Sequence, residues 1–253
     1  MKLGVIADVH GNDVALRAVL DDAARHHVDR WWVLGDLVLF GPRPAEALDR
    51  LRGLPGVSML RGNTDRYVLT GEQPAPHATA ADAVGRTDLV ERHAAMAAGI
   101  GWTRGVLDQA GTLDYLTTLP TQLHLPFPGG TTILGVHASP RADDGPGIDP
   151  GLPDDDLRGL LAGCGADVVV GGHTHYQTDR MIAGIRALNP GSTGMPRPAG
   201  QAGWLFLTGD GPGDLIVEQH RVPYDVDAVV RDLRRRRHPN AIFVQTVLTG
   251  ERD

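Results

Sequence analysis

Asp8-x-His10, Gly35-Asp36, Gly62-Asn63, His137 and Gly172-His173-x-His175 put seven metal-binding side chains into five short turns, each after an apolar run. Carboxylates, imidazoles and one amide suit divalent ions such as Mn²⁺, Fe²⁺, Zn²⁺ or Ni²⁺. Seven groups are too many for one tetrahedral site, and none is a thiolate. A structural zinc ion would be closed by four ligands, typically including Cys. With one carboxylate bridging, seven ligands suit two ions side by side. Paired ions about 3.5–4 Å apart are a device for hydrolysing phosphate esters. The chemistry written into these turns is P–O bond cleavage.

Such groups, far apart in sequence, need a scaffold that gathers them. The first half of the chain alternates short apolar runs with amphipathic stretches. Residues 3–7, 31–34 and 57–60 read as strands, and 13–27 and 44–51 as helices, with Pro44 in a first turn. Strands separated by helices imply parallel pairing and an α/β architecture. Residues 64–120 are Ala-rich and lack strand-like runs; segments 79–96 and 103–116 predict helices. This stretch reads as a helical excursion near the site mouth within one domain spanning 1–253. Further strands are predicted at 131–136, 168–170, 182–188, 204–207 and 215–218, and a helix at 225–237. Two Gly- and Pro-rich segments, 139–156 and 189–203, read as long loops of the kind that form lids or substrate walls.

Each motif follows a strand candidate. Ligands of open α/β sheets bind beyond the carboxyl ends of strands, so all seven groups could converge there. In this order and strand context the five motifs resemble the signature of calcineurin-like metallophosphoesterases, over residues 3–200. Three further runs resemble small bacterial and archaeal phosphodiesterases of that superfamily. They are Leu34-Gly35-Asp36-Leu37-Val38 before Phe40-Gly41-Pro42-x-Pro44, Val136-His137-x-Ser139-Pro140, and Asn189-Pro190-Gly191-Ser192 before Met195-Pro196-Arg197.

The resemblance implies a sandwich of two mixed β-sheets flanked by helices. It implies that Asp8, His10 and His175 hold one ion, that Asn63, His137 and His173 hold the other, and that Asp36 bridges both. A hydroxide between the ions would attack phosphorus in line with the leaving oxygen. Asp36, Asn63 and His137 are the expected catalytic residues, and Asn63 and Arg197 the expected substrate contacts. Manganese is the expected metal, with iron, nickel or zinc as alternatives. One departure stands out. Many superfamily members carry Gly-Asn-His, whose His is thought to protonate the leaving group; here the run is Gly62-Asn63-Thr64-Asp65. Poor leaving groups should therefore turn over weakly.

The leading reading is a phosphodiesterase acting on a small ester, nucleotide-derived esters among the candidates. Its rivals are a phosphomonoesterase, a dinucleoside polyphosphate hydrolase, and a non-catalytic metal-binding scaffold such as the retromer coat uses. Asp65 reads either as a carboxylate that orients a ligand or as a helix cap. Arg66, Arg141 and Arg197 are candidate phosphate clamps, and Trp102 and Trp204 candidate base-stacking platforms. Each of these taken alone reads more simply as surface or core. His26, His27, His77, His93, His124, His220 and His238 are read as surface or core too.

Composition bounds the partners. Lys and Arg number 24 against 31 Asp and Glu, a formal charge of −7. That balance gives no support to a nucleic-acid or membrane surface held by bulk charge. No apolar run approaches the roughly 20 residues needed to span a bilayer. Cys164 is the single cysteine, so no internal disulfide forms and a reducing compartment is expected. Met1-Lys2 leads straight into a strand-like run without a signal-peptide pattern, and the expected location is cytoplasmic. A homodimer would be the commonest assembly in general.

Overall fold

The computed structural model describes residues 1–75, 85–211 and 215–251. Two five-stranded mixed sheets face each other. The first has the order β10-β9-β1-β2-β3, where β1 is Lys2–Ile6, β2 Arg30–Leu34, β3 Ser58–Leu60, β9 Gln201–Thr208 and β10 Ile216–Pro223. The second has the order β4-β5-β6-β8-β7, where β4 is Leu123–Pro126, β5 Thr132–Gly135, β6 Val168–Val170, β7 Gln177–Ile182 and β8 Ile185–Pro190. The β1, β2 and β3 strands run parallel, as do β5, β6 and β8. Every other pairing is antiparallel.

The two-residue period of the strands divides the side chains between cores. Leu3, Val5 and Ala7 follow one face of β1 and pack with Trp32, Leu34, Leu60, Leu205 and Leu207 against Ile133, Val168, Val170 and Leu188 of the other sheet. The opposite face of the first sheet carries Ile6, Trp31, Val33, Trp204 and Phe206. It is covered by helices α1 (Asp13–Ala23), α2 (Pro44–Arg52), α4 (Thr87–Gln109), α6 (Val226–Arg235) and α7 (Ala241–Leu248). The outer face of the second sheet, with Leu134, Val136 and Val169, is covered by Leu157 and Leu161 of α5 (Asp154–Leu161). Trp204 is fully buried here, a core residue rather than a base platform.

Several elements differ from expectation for identifiable reasons. The helix expected at 13–27 ends at Ala23 and tightens into a 3-10 turn, Ala24–His26. Where two helices were expected at 79–96 and 103–116, one helix of 23 residues, Thr87–Gln109, runs through the intended break, and a 3-10 turn follows at Leu113–Thr118. Residues 76–84 lie outside the described residues, and His77 with them. Gly99 costs that helix about 1 kcal/mol relative to Ala. A side chain there would collide with the Asn240 amide, which donates to the Ala95 carbonyl at 2.8 Å. The strand expected at 182–188 is instead a hairpin of β7 and β8. Ala183 and Gly184 both have positive φ, 51° and 84°, as a two-residue turn of type I′ requires. The helices α5 and α7 were not anticipated: a Pro- and Asp-rich lead-in hides the first, and the second lacks amphipathic spacing. The segment expected as loop at 139–156 is irregular up to Pro153.

Candidate metal centre

The turns after β1, β2, β3, β5 and β6 lie at one end of the paired sheets. The β3 turn leads directly into α3 (Asn63–Thr70), so Asn63 is its first residue. Backbone bonds lace the turns together: Asp8 N–H donates to Gly35 O at 3.0 Å, His10 N–H to Asp36 O at 2.8 Å, and Gly172 N–H to His137 O at 2.7 Å. Asp8, His10, Asp36, His173 and His175 all have positive φ, between 49° and 70°. Left-handed backbone costs a non-glycine residue on the order of 1–2 kcal/mol. Strain of this kind, repeated at five positions of one site, is held by the surrounding fold and gathers where function needs it. Gly62 lets the turns meet: a Cβ there would lie 2.1 Å from Asp36 Oδ1 and 2.8 Å from His137 Cε1.

All seven side chains named from the sequence come together. Each of the four imidazoles has one ring nitrogen against a backbone carbonyl outside the cluster. His10 Nδ1 donates to Leu39 O at 3.1 Å, His137 Nδ1 to Leu34 O at 2.7 Å, His173 Nε2 to Gly145 O at 2.8 Å, and His175 Nδ1 to Met195 O at 2.8 Å. These bonds fix the tautomers and aim the remaining nitrogens inward, as metal-ligating histidines are usually held. Inward, acceptors face acceptors. His10 Nε2 lies 3.2 Å from His175 Nε2 and 3.7 Å from Asp36 Oδ2. His175 Nε2 is 3.5 Å from Asp8 Oδ1. Around the other half, His137 Nε2 is 2.9 Å from Asn63 Oδ1 and 3.2 Å from Asp36 Oδ1, and His173 Nδ1 is 3.2 Å from Asn63 Oδ1. Lone pairs converging this way repel unless a cation or proton lies between them. Nitrogen, carboxylate and amide donors in this arrangement fit divalent transition ions.

The electrostatics agree. Burial would push the Asp36 carboxyl up, yet His137, His10 and His173 bring it well below the usual carboxylate range. Burial pulls the His137 imidazole down, but the Asp36 charge and hydrogen bond lift it to about 10. Burial lowers His10 to about 4 against the pull of Asp36. The Asp36 carboxylate and the His137 imidazole thus each favour the charged form of the other.

Residues 1–211 match the calcineurin-like phosphoesterase superfamily domain. The chain belongs to that superfamily. An uncharacterized protein of Methanocaldococcus jannaschii is 28% identical over 256 residues, covering 94% of this chain and 93% of its relative. A metallophosphoesterase from Sphaerobacter thermophilus is 28% identical in its crystal structure, with a TM-score of 0.70 and 98% of each chain covered. A hypothetical protein from Pyrococcus horikoshii shares the fold at 23% identity, with a TM-score of 0.79 over 98% of this chain and 97% of that one. Among the described residues of this calcineurin-like chain, no helix is long and apolar enough to cross a membrane.

Around the superfamily's ligand turns lie residues whose work the sequence did not disclose. Asn189 is fully buried at the end of β8. Its amide donates to Gly172 O at 2.7 Å, Ile148 O at 3.1 Å and Thr174 Oγ1 at 3.0 Å, and accepts from Gly191 N–H at 2.8 Å. It thereby fixes the turn bearing His173 and His175. Ser192 Oγ donates to Asp8 O at 2.8 Å and accepts from Met195 N–H at 2.8 Å. The Asn-Pro-Gly-Ser run was the available signal, but only the fold shows which carbonyls it must satisfy. Asp65 serves as the helix cap: it accepts from Gly62 N–H and from Leu37 N–H, each at 2.9 Å, and touches no imidazole. Burial, with the Asp36 charge adding to it, raises its carboxyl to about 7.

The structure also separates the candidate arginines. Arg66 is paired with Asp143 at 2.8 and 3.0 Å and with Glu72. Arg141 donates to the Gly159 and Ala162 carbonyls near the end of α5. Arg197 lies beside the His175 turn, its guanidinium 5.4 Å from the centre of the Tyr176 ring and bonded to the Tyr176 hydroxyl at 3.2 Å. Trp102 packs edge-on against His238, ring centres 4.4 Å apart.

Proposed function

We propose that the chain is a phosphodiesterase that works with two divalent ions. The observation that carries this is the set of four imidazoles, each tied outward to a carbonyl and aimed inward at Asp8, Asp36 and Asn63. Asp8, His10 and His175 would hold one ion and Asn63, His137 and His173 the other, with Asp36 shared. Its two oxygens support that sharing, one facing His10 and the other His137. Ions so held supply a water of lowered pKa and offset charge on the phosphoryl oxygens. Manganese is the proposed metal.

The protein's own groups orient the reaction. Thr64 N–H, near the start of α3, donates to Asp36 Oδ1 at 2.9 Å and fixes that carboxylate. Arg197, beside the mouth, is placed to meet a phosphate oxygen with its guanidinium. Phe40 borders His10, ring centres 5.5 Å apart, and Phe243 borders Phe40 at 5.6 Å. Together with Met96 and Ile242 the two phenylalanines line a groove of about 680 Å³. An ester carrying an aromatic or nucleoside group fits that lining. Thr64, unlike an imidazole, cannot donate a proton near neutral pH, so diesters with acidic leaving groups suit the site best.

The test is hydrolysis of bis-p-nitrophenyl phosphate and p-nitrophenyl phosphate by chelated protein with and without Mn²⁺, beside Asp36→Asn and His137→Ala. Manganese-dependent diester cleavage lost in both variants supports the proposal. Preference for the monoester makes the chain a phosphomonoesterase. No turnover in metal-loaded protein on either ester, or on dinucleoside polyphosphates, points to a binding role.

A further inference from the structure

A second group of metal-binding side chains lies on the helical side of the first sheet. Asp22 is near the end of α1, His26 closes the 3-10 turn after it, and His220 is on β10. One ligand atom from each lies within 4.8 Å of the others. The α1 helix spans about 16 Å at 1.5 Å per residue. Its first turn adjoins the His10 loop, so this cluster sits at the far end from the phosphoesterase centre.

The cluster is built rather than incidental. Asp22 Oδ2 accepts from Trp204 Nε1–H at 3.0 Å, and Arg25 pairs with the other carboxylate oxygen. The Trp204 indole stacks on the His220 ring, centres 4.4 Å apart and 19° between planes. His220 Nε2 faces Glu218 Oε2 at 3.5 Å, and Nδ1 faces Asp22 Oδ2 at 3.7 Å. The His26 ring meets His220 edge-on at 4.6 Å. A carboxylate behind an imidazole favours the proton on the nitrogen it faces, which leaves the other nitrogen's lone pair for a metal. Glu218 and Asp22 face opposite nitrogens of His220 at 3.5 and 3.7 Å, and Nε2 makes no hydrogen bond. With the proton on Nε2, the Nδ1 lone pair is directed toward the Asp22 carboxylate and His26, where a cation would join them. Bonds of about 2.0–2.1 Å in a tetrahedral zinc site put ligand atoms roughly 3.3 Å apart, close to the 3.7 Å between Asp22 and His220. The end of α1 also contributes the negative pole of its dipole. All three residues are half-buried.

We infer that Asp22, His26 and His220, with Glu218 behind His220, form a separate binding site for a zinc-class divalent ion. The site would clamp the end of α1 to the β9–β10 edge. Two imidazoles and one carboxylate suit Zn²⁺, Ni²⁺, Co²⁺ or Cu²⁺ and disfavour Mg²⁺ or Ca²⁺.

The test uses the whole chain, loaded with Zn²⁺ and desalted, and counts bound metal per chain in wild type, His26→Ala and Glu218→Gln. The expected result is one ion fewer in His26→Ala with unchanged phosphodiester hydrolysis. In Glu218→Gln the expected loss is about 10–100-fold in affinity for that one ion. Tryptophan emission gives a second readout, because Co²⁺ or Cu²⁺ at His220 would quench the stacked Trp204 in wild type and not in His26→Ala. The count is a difference between proteins sharing one centre, so it stands whether that centre holds one ion or two. Equal metal content and equal quenching in wild type and both variants would overturn the inference.

Discussion

Gly62→Ala tests whether the centre depends on close approach of its turns. Gly62 has φ −96° and ψ −175°, an ordinary extended conformation, so alanine meets no backbone penalty. The whole effect is therefore steric. The new Cβ would lie 2.1 Å from Asp36 Oδ1, 2.5 Å from Asp36 N and 2.8 Å from His137 Cε1. Contacts of that kind open to about 3.5–4 Å at rest. The Asp36 carboxylate must move by more than an ångström, and it is the group proposed to serve both ions. Overpacking of this size costs about 1–3 kcal/mol of stability. The functional cost should be larger. Removing a mere orienting partner weakens metal affinity about 10–100-fold, and displacing a ligand should reach at least the upper end of that range. A 1 Å misplacement alone can cost about 100-fold in rate. Chelator competition and diester turnover measure both, beside Gly71→Ala as a control. Gly71 has φ 79° and nothing within 4 Å of the added atom, so its alanine variant should lose about 1 kcal/mol and keep its activity. Gly62→Ala with wild-type metal content and turnover would refute the reasoning.

Four further outcomes follow from named contacts. Asn189→Leu removes a donor to three acceptors and leaves the buried Gly191 N–H without its acceptor, so it should cost about 1–3 kcal/mol, read from the urea midpoint, together with weaker metal retention. Lower pH should matter at His238, which burial holds down at about 4. Because the folded value lies below the unfolded one near 6.5, the unfolded chain takes up the proton first. Stability is then full above about pH 6.5 and declines toward pH 4, by at most about 3 kcal/mol; His238→Gln should flatten that part of the metal-free protein's melting-temperature profile. Arg197→Ala and Phe243→Ala should each raise KM for bis-p-nitrophenyl phosphate, the first by about 10-fold for a lost charged hydrogen bond of roughly 1.5 kcal/mol, and unchanged KM in both would remove them from the substrate path. Across aryl diesters, kcat/KM should fall as leaving-group pKa rises, since Thr64 supplies no proton; a flat series under chemistry-limited conditions would contradict this.

The candidate ligands were legible because their types are unusual after apolar runs and because a strand's carboxyl end is where such groups gather. Asp8, His10 and Asp36 could be named before any coordinate, along with the parallel strands that carry them. The two-sheet sandwich came from resemblance, since periodicity does not say which sheet a strand joins. The β7 strand escaped notice because Gln177-Thr-Asp-Arg reads as polar loop; an edge strand exposes such residues. The α7 helix escaped because its apolar residues do not keep to one face, with Ile242 82% exposed and Val244 buried. Asn189 stood out only as the start of the Asn-Pro-Gly-Ser run in a Gly- and Pro-rich segment, and only tertiary structure reveals the carbonyls it satisfies. Arg66 looked like a phosphate clamp until the fold brought Asp143 against it. His26 and His220 carry no motif at all: Asp22, His26 and His220 meet only because β10 returns alongside β9.

The most direct test of the central claim is turnover of bis-p-nitrophenyl phosphate measured against Mn²⁺ bound per chain. The proposed centre, six ligands around a shared Asp36, requires activity to appear with the second equivalent, and Asp36→Asn to remain inactive at any manganese level. Full activity at one bound ion, or a wild-type rate from Asp36→Asn, would contradict it.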